Sequence, residues 1–271
     1  MSEKSLMDCV FDPINVILKP CICVRVGQVD LLLPADDLVV TPYIQNNRTW
    51  DPEVSAWLRH FAQQSEVFMD VGTMIGYFGQ QTFQANPNLR IHLIDPDEFN
   101  LRIAYENVRN QPNTTLYNCA ITPKNSENWV ITRDSKNFGN SRVQHSGVFQ
   151  DHNSIKTVNL AEAIAEVRAD LVKVDIQGLE ESILSELIPD ELPNLITIIS
   201  EVSLPEWENP ESFMPMIQAF RRHGFRVFII QGQRLLLEIK NVLTESMNIL
   251  LTGDHVDLIF DRGGRVADVQ D

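Results

Sequence analysis

The amino-acid sequence predicts a doubly wound α/β domain of the Rossmann-like kind, with a mostly parallel sheet between two layers of helices. Between residues 66 and 230, short apolar segments alternate with helical ones, which is the pattern of repeated strand–helix–strand units. After residue 234 the apolar segments lie too close together for helices between them, so we expect an antiparallel C-terminal edge. A glycine-containing turn follows the first predicted strand of this sheet, where such sheets bind ligands.

An N-terminal extension is predicted over residues 1–62, packed on a main domain of residues 63–271. Residues 14–33 are rich in β-branched and apolar side chains and turn at Gly27, which predicts a β-hairpin. Residues 52–64 repeat apolar side chains at helical spacing and begin with a proline, which favours the first turn of a helix. The extension is therefore expected to consist of a hairpin and a helix.

The main domain is predicted to alternate between strands and helices. The predicted strands are 66–71, 90–95, 115–121, 170–175, 195–202 and 225–230, followed by 234–239, 247–251 and 256–260. The predicted helices are about 75–85, 97–110, 159–168, 179–187 and 210–223. Residues 132–154 are polar and rich in Gly, Asn and Ser, which predicts a long loop, and such loops in compact domains often cover functional sites.

Composition limits the partners and the compartment. The 271 residues include 22 Lys and Arg against 37 Asp and Glu, a formal net charge of −15. A field of that sign repels nucleic acid and anionic membranes, so we expect neither as a partner, whereas a homodimer stays open. The four cysteines form no C-x-x-C pair, which argues against structural zinc. Few cysteines, no signal-peptide pattern at the start and no apolar run near the roughly 20 residues of a membrane span predict a cytoplasmic protein.

The first strand of the main domain ends in the segment DVGTMIG, which runs from Asp70 to Gly76 and opens a helix. Gly72 permits a tight turn that a ligand can approach, and Gly76 permits close packing of helix on strand. Free N–H groups at the start of the helix can bind a carboxylate, while Asp70 suits a cationic ligand. Asp95 ends the second strand, where a carboxylate can accept hydrogen bonds from ribose hydroxyls.

These features predict S-adenosylmethionine (SAM) as the cofactor, because SAM joins an adenosine to a sulfonium and an ammonium. A nicotinamide cofactor is the main alternative. Its fingerprint is G-x-G-x-x-G, however, and Met74 occupies the place of the middle glycine. Another ligand of Rossmann-like sheets, or none, also stays open.

Two further acids end neighbouring strands and are candidates for acid–base chemistry. Asp175 follows the fourth strand and Glu201 ends the fifth, and either can orient an acceptor hydroxyl or remove its proton. The alternatives are a helix cap for Asp175 and a solvated carboxylate for Glu201. His145 and His152 lie in the polar loop and are further candidate bases, although a loop histidine is more often exposed and idle. A divalent metal held by Asp175 and Glu201 stays open, but the two acids show no metal-ligand spacing, so no metal ligand is predicted.

Five segments of the chain occur in the order of a known family. They are TWDPEV at 49–54, DVGTMIGYF at 70–78, DPD at 95–97 with Asn107, TVNL at 157–160 and KVDIQGLE at 173–180. By these segments, of which the last is the most specific, residues 40–252 resemble the FkbM-type SAM-dependent methyltransferases. The chain departs from the family pattern at three positions, where Met74 replaces an asparagine, Ala161 an aspartate and Gln177 an acid.

This resemblance implies the fold of a SAM methyltransferase and a set of site residues. Asp70, Gly72 and Gly76 would hold the methionine part of SAM, Asp95 would hold the ribose, and Cys119 and Ala120 would lie near the adenine. Thr73 and Pro96 would also bind the cofactor, and Asp175 would border the reaction centre. Members of the family are commonly O-methyltransferases of natural product biosynthesis. We therefore expect an enzyme that methylates a hydroxyl of a sugar, polyketide or peptide. A non-catalytic SAM-binding module, suggested by Met74, and a nicotinamide-dependent oxidoreductase stay as alternatives.

Overall fold

The computed structural model of the chain describes residues 5–123, 128–146, 155–202, 212–233, 235–239 and 255–266. Its strands are β1 (Cys21–Val26), β2 (Val29–Pro34), β3 (Val67–Val71), β4 (Arg90–Asp95), β5 (Thr114–Asn118), β6 (Ala120–Ile121), β7 (Trp129–Thr132), β8 (Arg142–His145), β9 (Thr157–Val158), β10 (Leu171–Val174), β11 (Thr197–Val202), β12 (Arg226–Gly232), β13 (Leu235–Glu238) and β14 (Val256–Asp261). Its α-helices are α1 (Val40–Asn47), α2 (Pro52–Ala62), α3 (Tyr77–Ala85), α4 (Glu98–Val108), α5 (Leu160–Val167), α6 (Glu180–Ser185) and α7 (Phe213–Arg222).

Eight strands form the main sheet in the order β13-β12-β14-β11-β10-β3-β4-β5. Strands β11, β10, β3, β4 and β5 are parallel, and β14 and β13 are antiparallel to their neighbours, which confirms the predicted fold class. One feature differs from a simple antiparallel edge, because β14 is inserted between β11 and β12. The strand order reverses between β3 and β10, and such a reversal opens a crevice at the carboxyl ends of the strands.

The five helices predicted for the main domain are present to within a few residues. Helix α1 is not predicted, because it is short, has no side-chain N-cap and carries a proline in its first turn. The predicted loop at 132–154 is partly wrong. Its first half belongs to an antiparallel hairpin, β7 with β8, whose polar composition hides the strands, and residues 147–154 lie outside the described residues. The predicted strand 247–251 also lies outside them.

The sheet separates two hydrophobic cores. One core packs β3, β10, β11 and β14 against α5, α6 and α7. The other packs the opposite face against α2, α3 and α4, and the N-terminal residues contribute to it through buried side chains such as Leu33, Ile44, Trp57 and Phe61. Residues of the predicted extension therefore share a core with the main sheet. No helix in the described part of the chain is long and apolar enough to span a bilayer.

The carboxyl ends of β3 and β10 lie in direct contact. The Asp175 N–H donates to the Val71 carbonyl at 3.0 Å, so the two strands stay paired up to their ends. Gly72, the next residue after β3, has a φ of +84°, and a Cβ on it would overlap the carbonyl oxygen of Asp175. Only glycine therefore allows the two strand ends to approach this closely.

We expect Gly72→Ala to destabilise the protein more than Gly27→Ala. Gly27 also has positive φ, +58°, but lies in the hairpin turn with open space around its Cβ position. A side chain at positive φ costs about 1–2 kcal/mol at either position. The overlap with Asp175 adds about 1–3 kcal/mol at Gly72 alone. Urea unfolding of both variants measures the difference, and equal losses would show that the two strand ends can separate freely.

Candidate functional site

Two adjoining cavities open at the carboxyl ends of the parallel strands. The first, which we call the Asp95 cleft, lies over the ends of β3, β4 and β5. The second, the Glu201 cavity, lies over the ends of β10, β11 and β14 and has a volume of about 630 Å³, in the range of small-molecule sites. Both are lined by Gly72, Met74, Gly139, Asp175 and Gln177, so a ligand of one cavity would meet a ligand of the other at these residues.

Asp95 lies at the base of its cleft and is 5% exposed. Its two carboxylate oxygens accept hydrogen bonds from the N–H groups of Met74, at 2.9 Å, and Asp97, at 2.8 Å. Burial, and then the charge of Asp97, raises the pKa of Asp95 to about 7. Pro96, Cys119 and Ala120 also line the cleft. The cleft thus joins a buried carboxylate to a largely apolar wall.

The N–H groups of the glycine-containing turn that precedes the helix are engaged in hydrogen bonds. Those of Gly72 and Thr73 both donate to the Ile94 carbonyl, at 2.9 and 3.0 Å, and that of Met74 donates to Asp95. These bonds tie the turn to the end of β4. Gly76 also differs from its expected role, because a Cβ on it would contact Ala104 of α4 rather than a strand.

Asp70 is fully buried and lines neither cavity within the described residues. Its Oδ2 accepts a hydrogen bond from the Thr73 hydroxyl at 2.8 Å, while its Oδ1 has no hydrogen-bond partner among the residues described. Burial raises the pKa of Asp70 although Lys173 and Thr73 act to lower it. The turn therefore contains an acid with one unsatisfied oxygen, which is unusual in a folded protein.

Lys173 is a site residue for which the sequence analysis predicts no role. It lies on β10 in register with Asp70 on β3, and it is 4% exposed. Its Nζ lies 2.9 Å from Asp175 Oδ2 and 4.6 Å from the centre of the Phe78 ring. Burial alone would lower the pKa of Lys173, but Asp175 and Asp70 raise it well above its ordinary value. The sequence does contain a signal for this residue, since Lys173 lies inside the apolar segment LVKV and a lysine is rarely buried without a partner.

Glu201 and Asp175 face the same cavity, and Gln177 bridges them. The Gln177 amide donates to Asp175 Oδ1 at 2.8 Å and to Glu201 Oε1 at 3.4 Å. Burial, and then the charge of Asp175, raises the pKa of Glu201 to about 8. Both predicted acids therefore lie beside the contact of β3 and β10, and Asp175 makes an ion pair rather than a helix cap.

His145 lies away from both cavities, so the structure does not support it as a candidate base. It ends β8, is exposed and contacts Trp129 edge to face at 5.8 Å. The hairpin turns its other end toward the site, where Phe138 and Gly139 line the cavities. His152 lies outside the described residues.

The same hairpin covers the Asp95 cleft and is fastened to the main domain. Arg133 binds the Asp97 carboxylate with two nitrogens, at 2.6 and 3.3 Å. The Lys19 ammonium lies between the rings of Phe99 and Phe138, at 4.7 and 4.8 Å from their centres. These contacts place a cover over the cleft, as expected for part of the segment 132–154.

The sequence matches the model of a family described as the methyltransferase FkbM domain over residues 70–227. No curated protein matches the chain. Similar solved structures include the precorrin-6y C5,15-methyltransferase of Geobacter metallireducens GS-15, at 12% identity over 76% of this chain and 86% of that one, with a TM-score of 0.39. TYW2 of P. horikoshii in complex with MeSAdo is 9% identical over 89% of this chain and 70% of that one, with a TM-score of 0.45. The O-methyltransferase TomG of Streptomyces achromogenes in complex with SAM is 11% identical over 78% of this chain and 79% of that one, with a TM-score of 0.39.

We expect Lys173→Met to lower the free energy of unfolding by about 3–5 kcal/mol, because it leaves buried carboxylates without their cation. The pKa of Asp70 is already raised in the folded protein, and losing Lys173 raises it further. A raised carboxyl pKa costs stability as the pH rises through it, so the loss should grow from acidic to basic pH. Urea unfolding on both sides of neutrality measures this dependence.

Arg25→Met is the matched control for that measurement. Arg25 pairs with Asp30 at 3.1 Å, but both side chains are more than half exposed, at 58% and 62%. An exposed pair contributes about 0–1 kcal/mol, so this variant should unfold almost as the parent does. If the two variants lost equal stability, Lys173 could not be the cation that holds the strand ends together.

Proposed function

The chain belongs to the FkbM family of SAM-dependent methyltransferases, and on that premise we propose that it methylates a hydroxyl of a small molecule held in the Glu201 cavity. The observation that carries the proposal is the position of Glu201, which lines the cavity and accepts a hydrogen bond from Gln177, one of the residues that the two cavities share. Burial raises the pKa of Glu201 to about 8. A base works best when its pKa lies near the working pH.

The residues of the Asp95 cleft fit the cofactor of this family. SAM supplies a methyl group already activated by its positive sulfur. Asp95 would accept hydrogen bonds from the ribose, and Pro96, Cys119 and Ala120 would form a wall near the adenine. Gly72, which lines both cavities, would lie near the amino-acid part, whereas the buried Asp70 lines neither cavity and would act through Thr73, whose hydroxyl it binds.

Glu201 is a better base than Asp175. Asp175 is held from both sides by the Lys173 ammonium and the Gln177 amide, so its charge is already balanced. Glu201 accepts only a long hydrogen bond from Gln177, at 3.4 Å, among the residues described. Glu201 would therefore remove the hydroxyl proton, while Asp175, Lys173 and Gln177 would fix the geometry around it. Such alignment supplies much of the rate of a displacement reaction.

The acceptor class and the compartment belong to the same proposal. The family resemblance favours a sugar or a natural product such as a polyketide or peptide, and the acids lining the cavity disfavour nucleic acid. The four cysteines form no disulfide bond, which supports a reducing compartment such as the cytoplasm. A non-catalytic SAM-binding module remains the alternative, and it would bind S-adenosylhomocysteine yet methylate no hydroxylated compound.

We expect Glu201→Gln to lower kcat by about 10²–10⁴-fold and to leave the affinity for S-adenosylhomocysteine unchanged. In the parent protein the rate should rise with pH through about 8, because the carboxylate must be ionised to accept the proton. His145→Ala is the matched control and should keep full activity. Radiolabelled methyl transfer to a panel of hydroxylated compounds measures both. Glu201 is not the base if the glutamine variant keeps the parent rate.

Asp95→Ala should weaken the binding of S-adenosylhomocysteine by roughly 10–100-fold, the effect of losing a hydrogen bond to a charged group. Binding to the parent protein should strengthen as the pH rises through about 7, where Asp95 ionises, and this dependence should vanish in the variant. Calorimetry measures both. Binding of NADH in place of S-adenosylhomocysteine would instead support a nicotinamide-dependent oxidoreductase.

A further inference from the structure

The Glu201 cavity carries a large excess of negative charge. Its acidic lining residues are Asp51, Glu53, Asp175, Glu201 and Asp257. Lys173 is the one lysine or arginine that lines it within the described part of the chain, and its ammonium is already bound to Asp175. None of the other four acids forms an ion pair with a described residue, although the charge of Lys173 also acts on Glu201 and Asp257.

Two of these acids oppose each other across neighbouring strands. Glu201 on β11 and Asp257 on β14 are direct partners in an antiparallel pair, so their side chains leave the same face of the sheet. Like charges in directly opposite positions destabilise a sheet. Burial and then mutual repulsion raise the pKa of Asp257, to which Asp51 and Glu201 both contribute. Such a pair costs stability unless it takes up a proton or a cation lies between the two strands.

Asp257 gives an independent indication of a ligand. Asp257 lines the cavity and is partly exposed. No residue in the described ranges donates a hydrogen bond to it or forms an ion pair with it. A carboxylate in this position normally has a partner, so the partner is expected to come from the cavity.

The walls of the cavity suit an organic cation better than a metal ion. Tyr43, Trp50, Tyr77 and Phe78 line it, and Tyr43 meets Trp50 edge to face at 5.3 Å. Aromatic rings of this kind attract ammonium groups. In the parts of the chain that are described, the acids, histidines and cysteines form no group of three or more that could hold a metal ion.

We infer that the acceptor carries a protonated amine close to the hydroxyl that is methylated, as amino sugars and amino alcohols do. This inference rests on the proposed function, because it places the hydroxyl at Glu201 and the amine at Asp257. Directly opposed residues of an antiparallel pair have Cβ atoms about 4.5–5.5 Å apart, so the two groups lie only a few bonds apart. SAM brings one net positive charge, which offsets only part of the acidic excess.

The test measures binding of amines to the full chain saturated with S-adenosylhomocysteine. The probes are glucosamine and spermidine, each compared with its N-acetylated form by calorimetry at low ionic strength. The amines should bind at least about tenfold more tightly than their acetylated forms, because each acetylation removes a charge-assisted contact. Equal affinities, or no binding of any amine, would overturn the inference.

Asp257→Asn should remove most of that preference and leave the binding of the acetylated probes unchanged. Asp51→Asn is a second variant that should fold, because asparagine also caps helices and tolerates the left-handed backbone of this position, φ +38°. Asp30→Asn, on the surface far from the cavity, is the control for non-specific attraction to an acidic protein. Equal loss in the control would attribute amine binding to the surface and contradict the inference.

Two further measurements distinguish failure of this inference from failure of the proposed function. If chelation by EDTA abolishes the amine preference, a divalent cation and not an amine neutralises the wall, and the inference is wrong. If S-adenosylhomocysteine binds and Glu201→Gln abolishes methyl transfer to a neutral acceptor while amines show no preference, only the acceptor class is wrong. If S-adenosylhomocysteine does not bind at all, the proposed function fails first.

Discussion

The ion pair between Lys173 and Asp175 is the interaction on which the site depends. Lys173 and Asp175 lie at the end of β10, beside the point where the strand order reverses. Gly72, which follows β3, lets the end of that neighbouring strand approach them. A lysine can be buried here only because acids surround it, and these acids can stay buried together only because the lysine is present. The cost of burying each group is thus offset by the other, and neither can be replaced alone.

The Asp95 cleft and the Glu201 cavity differ in shape and charge. The Asp95 side is closed and largely apolar, and its carboxylate is fixed by two backbone N–H groups. The Glu201 side is wider and lined by acids, and among the described residues the Glu201 carboxylate accepts one long hydrogen bond, from Gln177. A firmly held carboxylate on one side and a weakly held one on the other would suit the proposed division between cofactor and acceptor.

Much of this could be predicted from the sequence, because the alternation of strands and helices fixes which residues end the parallel strands. Asp95, Asp175 and Glu201 were found in that way, since an acid after an apolar segment is visible without tertiary information. The roles of Lys173 and Asp257 were not, because each lies inside an apolar strand and depends on which neighbour the strand pairs with. His145 failed for a related reason, since its distance from the site depends on how the hairpin folds back.

The insertion of β14 has a consequence for how the protein is made. Strand β12 is synthesised before β14, yet it joins the sheet only through β14, and α7 packs against these same strands. Until residues 256–261 emerge from the ribosome, the apolar edge of β11 stays open and invites pairing with a foreign strand. During translation, the chain is therefore exposed to wrong strand pairing at this edge until β14 has been made.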